Sequence, residues 1–447
     1  MRQLKPLVLA IAFVAQSLVV LAQHHHAGDV ADTTSQKMTH SAHGDMHTMS
    51  HAFSRSLPMS RNGSGTGWLP DNSPMYGYML HKQKWMYMFH GNVFLRYNNQ
   101  DVFNNGTRGD AKVDAPNWFM AMGQRPVGKR GLLRFSAMIT LDALTVGGSG
   151  YPLLYQSGET WKSKPLVDHQ HPHDLFSELS VAYTHQLGKQ TDAFVYLAYP
   201  GEPALGPVAF MHRPSSLYNP DAPIGHHWQD ATHVTFGVAT LGIRHQNMKL
   251  EGSVFTGREP DEDRYGFDKP RFDSYSLRLS YNPVPALALQ LSQAWINDLH
   301  EFGPREDVRK TTASVIHSAA LGNHKAVNTT VVWGYNRANN HGDAHSVLAE
   351  TAFTFNNTAV YGKYEWVQKS AQDLLLGEAI DHHRLFPVNA ATLGVQQSVA
   401  NAFKAHIAIG AQASWYPAAN GLEAIYGRNP VAAQVYLRLY PGMMHAH

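Results

Sequence analysis

Cysteine is absent from all 447 residues. Disulfides and thiolate metal sites are therefore excluded, and so is a lipid carried on an N-terminal cysteine. Charge imbalance is missing too. Lys and Arg number 36 against 34 Asp and Glu, so nothing electrostatic speaks for nucleic acid. Beyond residue 23 no apolar run reaches the ~18 residues that a membrane helix needs. The motifs G-x-x-x-x-G-K-S/T, G-x-S-x-G and H-E-x-x-H do not occur, and an enzyme is not expected.

Histidine is what the chain has in excess: 28 imidazoles nearly match the whole acidic complement. Aromatics make up 11% while mean hydropathy is only −0.32. That pairing fits strands in which every second residue faces apolar surroundings.

Residues 1–23 read as a secretory signal, with Arg2 and Lys5 ahead of the apolar stretch Leu7 to Leu21. Residues 24–80 are polar and dotted with His40, His43, Met46, His47, Met49 and His51. Without apolar periodicity this segment is expected to remain disordered. Thioether and imidazole together suit copper. The alternative is a flexible solvated tail, with His24 to His26 left from a tag.

From Lys84 a period-two pattern begins and repeats to the end. Trp85, Tyr87, Phe89, Val93, Leu95 and Tyr97 share one face, and Lys84, His90, Asn92 and Arg96 the other. Tyr275, Leu277, Leu279 and Tyr281 alternate with Ser274, Ser276, Arg278 and Ser280 in the same way. Tight turns such as Gly188-Lys189-Gln190 and His245-Gln246-Asn247 alternate with long irregular loops at about 98–116, 145–175, 200–231 and 258–271. The spacing predicts an all-β antiparallel transmembrane barrel of sixteen strands over residues 81–440, followed by a tail at 441–447. A secreted β-sandwich or β-helix is the alternative, and it leaves the one-ended loop asymmetry unexplained.

This pattern, over residues 80 to 440, resembles the bacterial outer-membrane porin superfamily. The resemblance implies location in the outer membrane, contact with its lipids and lipopolysaccharide, insertion by the outer-membrane assembly machinery, and passage of a small solute. The tight turns then lie in the periplasm and the long loops outside. The chain departs from that pattern where Tyr440 is followed by Pro-Gly-Met-Met-His-Ala-His. The Met/His tract is similar in composition to that of copper-resistance outer-membrane proteins.

Three loop ends carry clustered histidine. Asp168, His169, His171, His173 and Asp174 precede strand four, His226 and His227 with His233 precede strand six, and His382 and His383 precede strand fourteen. Neutral imidazole ligates zinc and copper well, and a carboxylate nearby can orient the ring. If extended, His169, His171 and His173 project to one face. Metal binding there should weaken as pH falls through roughly 6.5, the ordinary imidazole value. The alternative is that these side chains are hydrogen-bonded plugs holding a folded loop to the wall.

Inward positions carry Arg96, Arg134, Asp142, Glu178, Lys249, Glu251, Arg278, Glu350, Lys363, Glu365 and Arg438. Both signs are mixed, so no ion preference follows. Met86, Met88 and His90 share the first strand's inward face, open to a soft metal or to ordinary packing. The expected function is a porin-like channel or solute-capture barrel handling copper or zinc. The alternatives are a surface metal-sequestering barrel with a closed lumen and an outer-membrane hydrolase whose Ser–His pair comes from separate strands.

Overall fold

A computed structural model describes residues 52–297, 299, 306–339, 342–377, 379–402, 404–417 and 419–444. Sixteen antiparallel strands form one closed barrel. The first four are β1 (Trp85–Gln100), β2 (Asn117–Val127, continued by Asp110–Asp114), β3 (Gly131–Ile139) and β4 (Phe176–Gly188). Next come β5 (Thr191–Ala198), β6 (Val238–His245), β7 (Met248–Phe255), β8 (Ser274–Val284), β9 (Leu287–Ile296) and β10 (Val308–Gly322). The circuit ends with β11 (Lys325–Ala338), β12 (Gly342–Phe355), β13 (Thr358–Ser370), β14 (Leu385–Ala402), β15 (Ala405–Trp415) and β16 (Val431–Pro441).

Alternation sets the two faces of the wall. On β8, Tyr275, Leu277, Leu279 and Tyr281 are exposed, whereas Ser274, Ser276, Arg278 and Ser280 are buried inside. Leu241, Leu250, Leu291, Leu393 and Val435 continue the apolar outer surface on other strands. An apolar outside around a polar inside is the architecture of an outer-membrane barrel. No helix among the described residues is long and apolar enough to cross a membrane.

The seam joins both ends of the chain. The loop-side half of β1 pairs with β16, from Val93 opposite Leu439 to Gln100 opposite Ala432. Its turn-side half pairs with a short strand, Tyr78–Lys82, from Tyr78 opposite Phe89 to Lys82 opposite Trp85. The wall thus starts at Tyr78, not at residue 81. Nor are residues 441–444 simply a tail. Pro441 belongs to β16, Gly77 N–H donates to Gly442 O, and Met444 N–H donates to Met75 O.

Folded chain occupies the lumen. Residues 52–77, expected to be disordered, are folded inside the wall, with Phe53, Trp68 and Leu69 buried. Lys249 Nζ donates to Thr66 O, Arg278 Nη2 to Thr66 Oγ1 (2.7 Å), and Arg244 Nη2 to Ser54 Oγ (2.8 Å) and Ser56 Oγ (2.6 Å). Hydrogen bonds to charged wall residues replace the apolar contacts whose absence had argued for disorder. The signal segment and His40, His43, Met46, His47, Met49 and His51 lie outside the described residues.

From the other end, the loops of residues 140–175 and 199–237 enter the barrel and are held by the inward charges. Arg96 pairs with Asp221 (2.6 Å) and Asp114 (2.6 Å), and Glu350 with Arg213 (2.7 Å). Glu365 accepts Ile224 N–H (2.6 Å), and Lys363 donates to Ala222 O (3.3 Å). Glu251 pairs with Lys249 and Arg278, both at 3.1 Å. Arg134 reaches Asn62 (2.6 Å), Glu178 accepts from Tyr196 (3.2 Å), and Arg438 donates to Asn92 (2.8 Å). The mixed signs are fastenings for what fills the barrel.

Candidate metal centre

The loop after β3 begins with a single helical turn, Asp142–Thr145, so Asp142 stands on the loop and not on a strand. It continues as a hairpin of Tyr151–Trp161 against Lys164–Gln170. Beyond Gln170 the chain leaves extended pairing, and His169 is separated from its two neighbours in sequence. His169 stays at the rim, 3.5 Å from Asp110. His171 and His173 are buried inside. Asp168 accepts from Tyr155 N (2.6 Å), Arg108 (3.2 Å) and Tyr426 (3.1 Å) and so closes the hairpin. Asp174 pairs with Arg264 (3.5 Å).

The loop after β5 brings three more imidazoles. His226–Gln229 forms one turn of helix and Ala231–His233 a turn of 3-10 helix, which together direct His226, His227 and His233 to the same spot. His171 lies 5.5 Å from His173, 6.2 Å from His226 and 5.7 Å from His227, ring centre to ring centre. His233 lies 5.1 Å from His226 and 5.3 Å from His173. One ring nitrogen from each of His171, His226 and His227 lies within 4.8 Å of the other two.

Each ring is oriented from behind through Nδ1. His173 bonds Asp142 (3.0 Å), His226 bonds Asp230 (2.6 Å) and His227 bonds Glu259 (2.8 Å). His171 sits 3.1 Å from Glu159, and His233 bonds the carbonyl of Asp230 (2.7 Å). The opposite nitrogens, Nε2 of His173, His226, His227 and His233, are buried without a hydrogen-bond partner. Buried polar atoms left unpaired in a group ask for a reason. Imidazoles whose Nδ1–H is held by an acceptor while Nε2 faces a shared space are the arrangement that metal-ligating histidines use.

Burial favours the neutral form of His171, His226 and His233. It pushes His226 down to about 4, against the opposing pull of Asp230, and holds His171 well below the usual imidazole value. Glu159 is driven up to about 8 by burial, although Arg264 pairs with it. Gly158 makes the close packing possible. It adopts φ +127°, and a Cβ there would fall 2.2 Å from the His227 ring.

No protein-family model and no curated protein sequence matches the chain. Several solved outer-membrane barrels are similar to it in shape. Salmonella typhi OmpF, in complex with daunomycin, has a TM-score of 0.49 and 8% identity over 81% of this chain and 100% of that one. An anion-selective porin from Comamonas acidovorans gives 0.47 and 11%, covering 80% and 99%. OmpT of Vibrio cholerae gives 0.46 and 10%, covering 81% and 99%. No property of this site rests on them.

Of the residues singled out in the sequence, His171, His173, His226, His227 and His233 meet. Asp168, His169 and Asp174 do not reach the cluster centre. His382 and His383 are exposed at another loop. Glu159, Asp142 and Glu259 orient the rings from distant positions, and no sequence spacing announces that role. Glu262 accepts from Thr160 Oγ1 (2.8 Å), Lys162 N (2.7 Å) and Ser163 N (2.7 Å).

Proposed function

We propose that this chain is an outer-membrane barrel with a closed lumen that captures a divalent transition-metal ion, zinc or copper, at His171, His226 and His227. His173 and His233 lie in reach as further donors. The observations that carry the reading are four buried, unpartnered Nε2 atoms on rings held at Nδ1 by carboxylates and a carbonyl, and one ring nitrogen each of His171, His226 and His227 within 4.8 Å of the others. Neutral buried imidazole suits zinc and copper(II) better than calcium or magnesium, which prefer oxygen. Asp142, Asp230 and Glu259 supply the negative charge that a dication needs nearby. Lipopolysaccharide and membrane lipid surround the barrel, and the role is binding rather than catalysis.

An occupied lumen favours capture over free diffusion through a pore. The test is calorimetry with Zn²⁺ and Cu²⁺ on the full chain and on a variant with His171, His226 and His227 replaced by Ala. Wild type should bind one more ion than the variant. Equal stoichiometry in the two would remove the metal reading. Planar-bilayer conductance separates the closed-lumen barrel from an open porin, since the former passes little current.

A further inference from the structure

A second cavity, of about 80 Å³, lies on the tight-turn side of the histidine cluster. Its wall is sulfur-rich. Met88 and His90 come from β1 and Met120 from β2, while Met59 and Met75 come from the N-terminal segment. Met211, His212 and Met444 close it from the second loop and the C-terminal end. Met122 and Met138 pack against the same group, so eight of the chain's 16 methionines line this space or pack beside it. Five separate parts of the chain thus converge on one small space.

His90 Nε2 is buried there with no hydrogen-bond partner. The rings of His90 and His212 stand 5.7 Å apart, and both lie against Trp118, at 5.1 and 4.7 Å. No carboxylate lines the cavity. Met122 Sδ is already engaged by Arg134 (3.0 Å), while Met88 and Met120 on the wall and Met211 on the loop beside His212 line the cavity. Met86, beside them in sequence, does not line the space.

We infer that this cavity is a site for a soft monovalent d10 cation, Cu(I) or Ag(I), held by thioethers of Met88, Met120 and Met211 with His90 and His212. Thioether and neutral imidazole are soft, uncharged donors that select such ions over hard or divalent ones. Arg438 at the cavity margin, bonded to Asn92 and lying over Tyr440, adds positive potential. That opposes a dication more strongly than a monovalent ion. The site is distinct from the five-histidine cluster, which offers imidazole backed by carboxylates and no sulfur. A single 3-10 turn, Phe210–His212, separates the two: Phe210 packs on His173, His226 and His233, while Met211 and His212 face the cavity.

Ag(I) is a suitable probe because it needs no reductant. Silver titration of the full chain, in chloride-free buffer, is compared with a Met88→Leu, Met120→Leu, Met211→Leu variant. Leucine conserves volume, so the wall should remain packed. Both proteins carry the same N-terminal tract, so any silver bound there cancels. The variant should lose one equivalent of tightly bound silver while keeping its zinc binding. Unchanged silver stoichiometry and affinity would overturn the site and leave the methionines as packing. If the triple variant fails to form a heat-modifiable barrel, His90→Gln decides. Removing that ligand should weaken silver at least about tenfold, and unaltered affinity overturns the assignment. The histidine-cluster variant with His171, His226 and His227 replaced should still bind silver, which keeps failure of one site distinguishable from failure of the other.

Discussion

His226 Nδ1 stands 2.6 Å from Asp230 Oδ1, and the other oxygen of Asp230 stands 2.7 Å from Arg213. One buried carboxylate thus ties a candidate ligand to the wall, because Arg213 also pairs with Glu350 of β12 at 2.7 Å. Asp230→Asn keeps the shape and removes the charge. It should lower Zn²⁺ affinity about 10–100-fold while the barrel still folds, as read by calorimetry and heat-modifiable gel migration. An unaltered zinc affinity would show that Asp230 serves only the loop.

Acidity should act lower than the ordinary imidazole range suggests. His226 is held at about 4 in the folded chain, against about 6.5 when unfolded. Between those values the unfolded chain binds the proton and the folded chain does not, so stability falls as pH drops from 6.5 towards 4 and levels off below. Zinc binding should persist at pH 5.5 and fail near 4, in contrast to the loss through 6.5 that free imidazole predicts. Metal titrations at pH 7, 5.5 and 4 check this; a midpoint at 6.5 would mean the cluster is wet.

Removing residues 24–77 should not be silent, although a disordered tail would be dispensable. Lys249, Arg244 and Arg278 lose partners inside the barrel. The expected result is a lower unfolding temperature and measurable single-channel current, whereas deletion of 24–51 should alter neither. If the longer deletion leaves both unchanged, residues 52–77 do not fill the lumen in the membrane.

Arginine scanning separates this barrel from an open one. Leu277→Arg, on the exposed outer face, should cost about 2–4 kcal/mol if it lies near mid-bilayer. Inward Ser292→Arg should also be costly, about 1–3 kcal/mol from overpacking. Ser292 Oγ accepts Gly206 N–H at 3.0 Å and leaves no room. Urea unfolding in detergent measures both, and an easily tolerated Ser292→Arg would point to open space.

Gly158→Ala tests the packing of the metal cluster itself. The new methyl meets the His227 ring and takes a backbone angle that side chains rarely adopt. Zinc binding should weaken while the outer strands keep their melting behaviour. Equal affinity would show that His227 can move aside.

The wall was legible because its signal is repetitive. Tyr275 to Tyr281 alternate with serine and arginine, and the same period recurs beyond every tight turn. The interior was not legible, since residues 52–77 and the two large loops are fixed by hydrogen bonds to Lys249, Arg278, Arg96 and Glu350, which leave no periodic trace. Clustered histidines were visible, but their grouping was not. Alternation placed His169 with His171 and His173, whereas pairing ends at Gln170 and leaves His169 outside. Asp142 read as a wall charge because the strand pattern runs on past Ile139; the helical turn at Asp142 ends it and presents the carboxylate to His173.

The seam between Gly77 and Gly442 has a consequence for how the molecule is made. The segment that occupies the interior is synthesised before the first strand, and the partner that shuts the wall is synthesised last. Contacts this far apart in sequence form late, because the connecting chain must first be ordered. The contents must therefore be loaded while the sheet is still an open, curling ribbon, and the final strand seals them in. Once it has done so, residues 52–77 are enclosed by a wall that the chain's last strand completes.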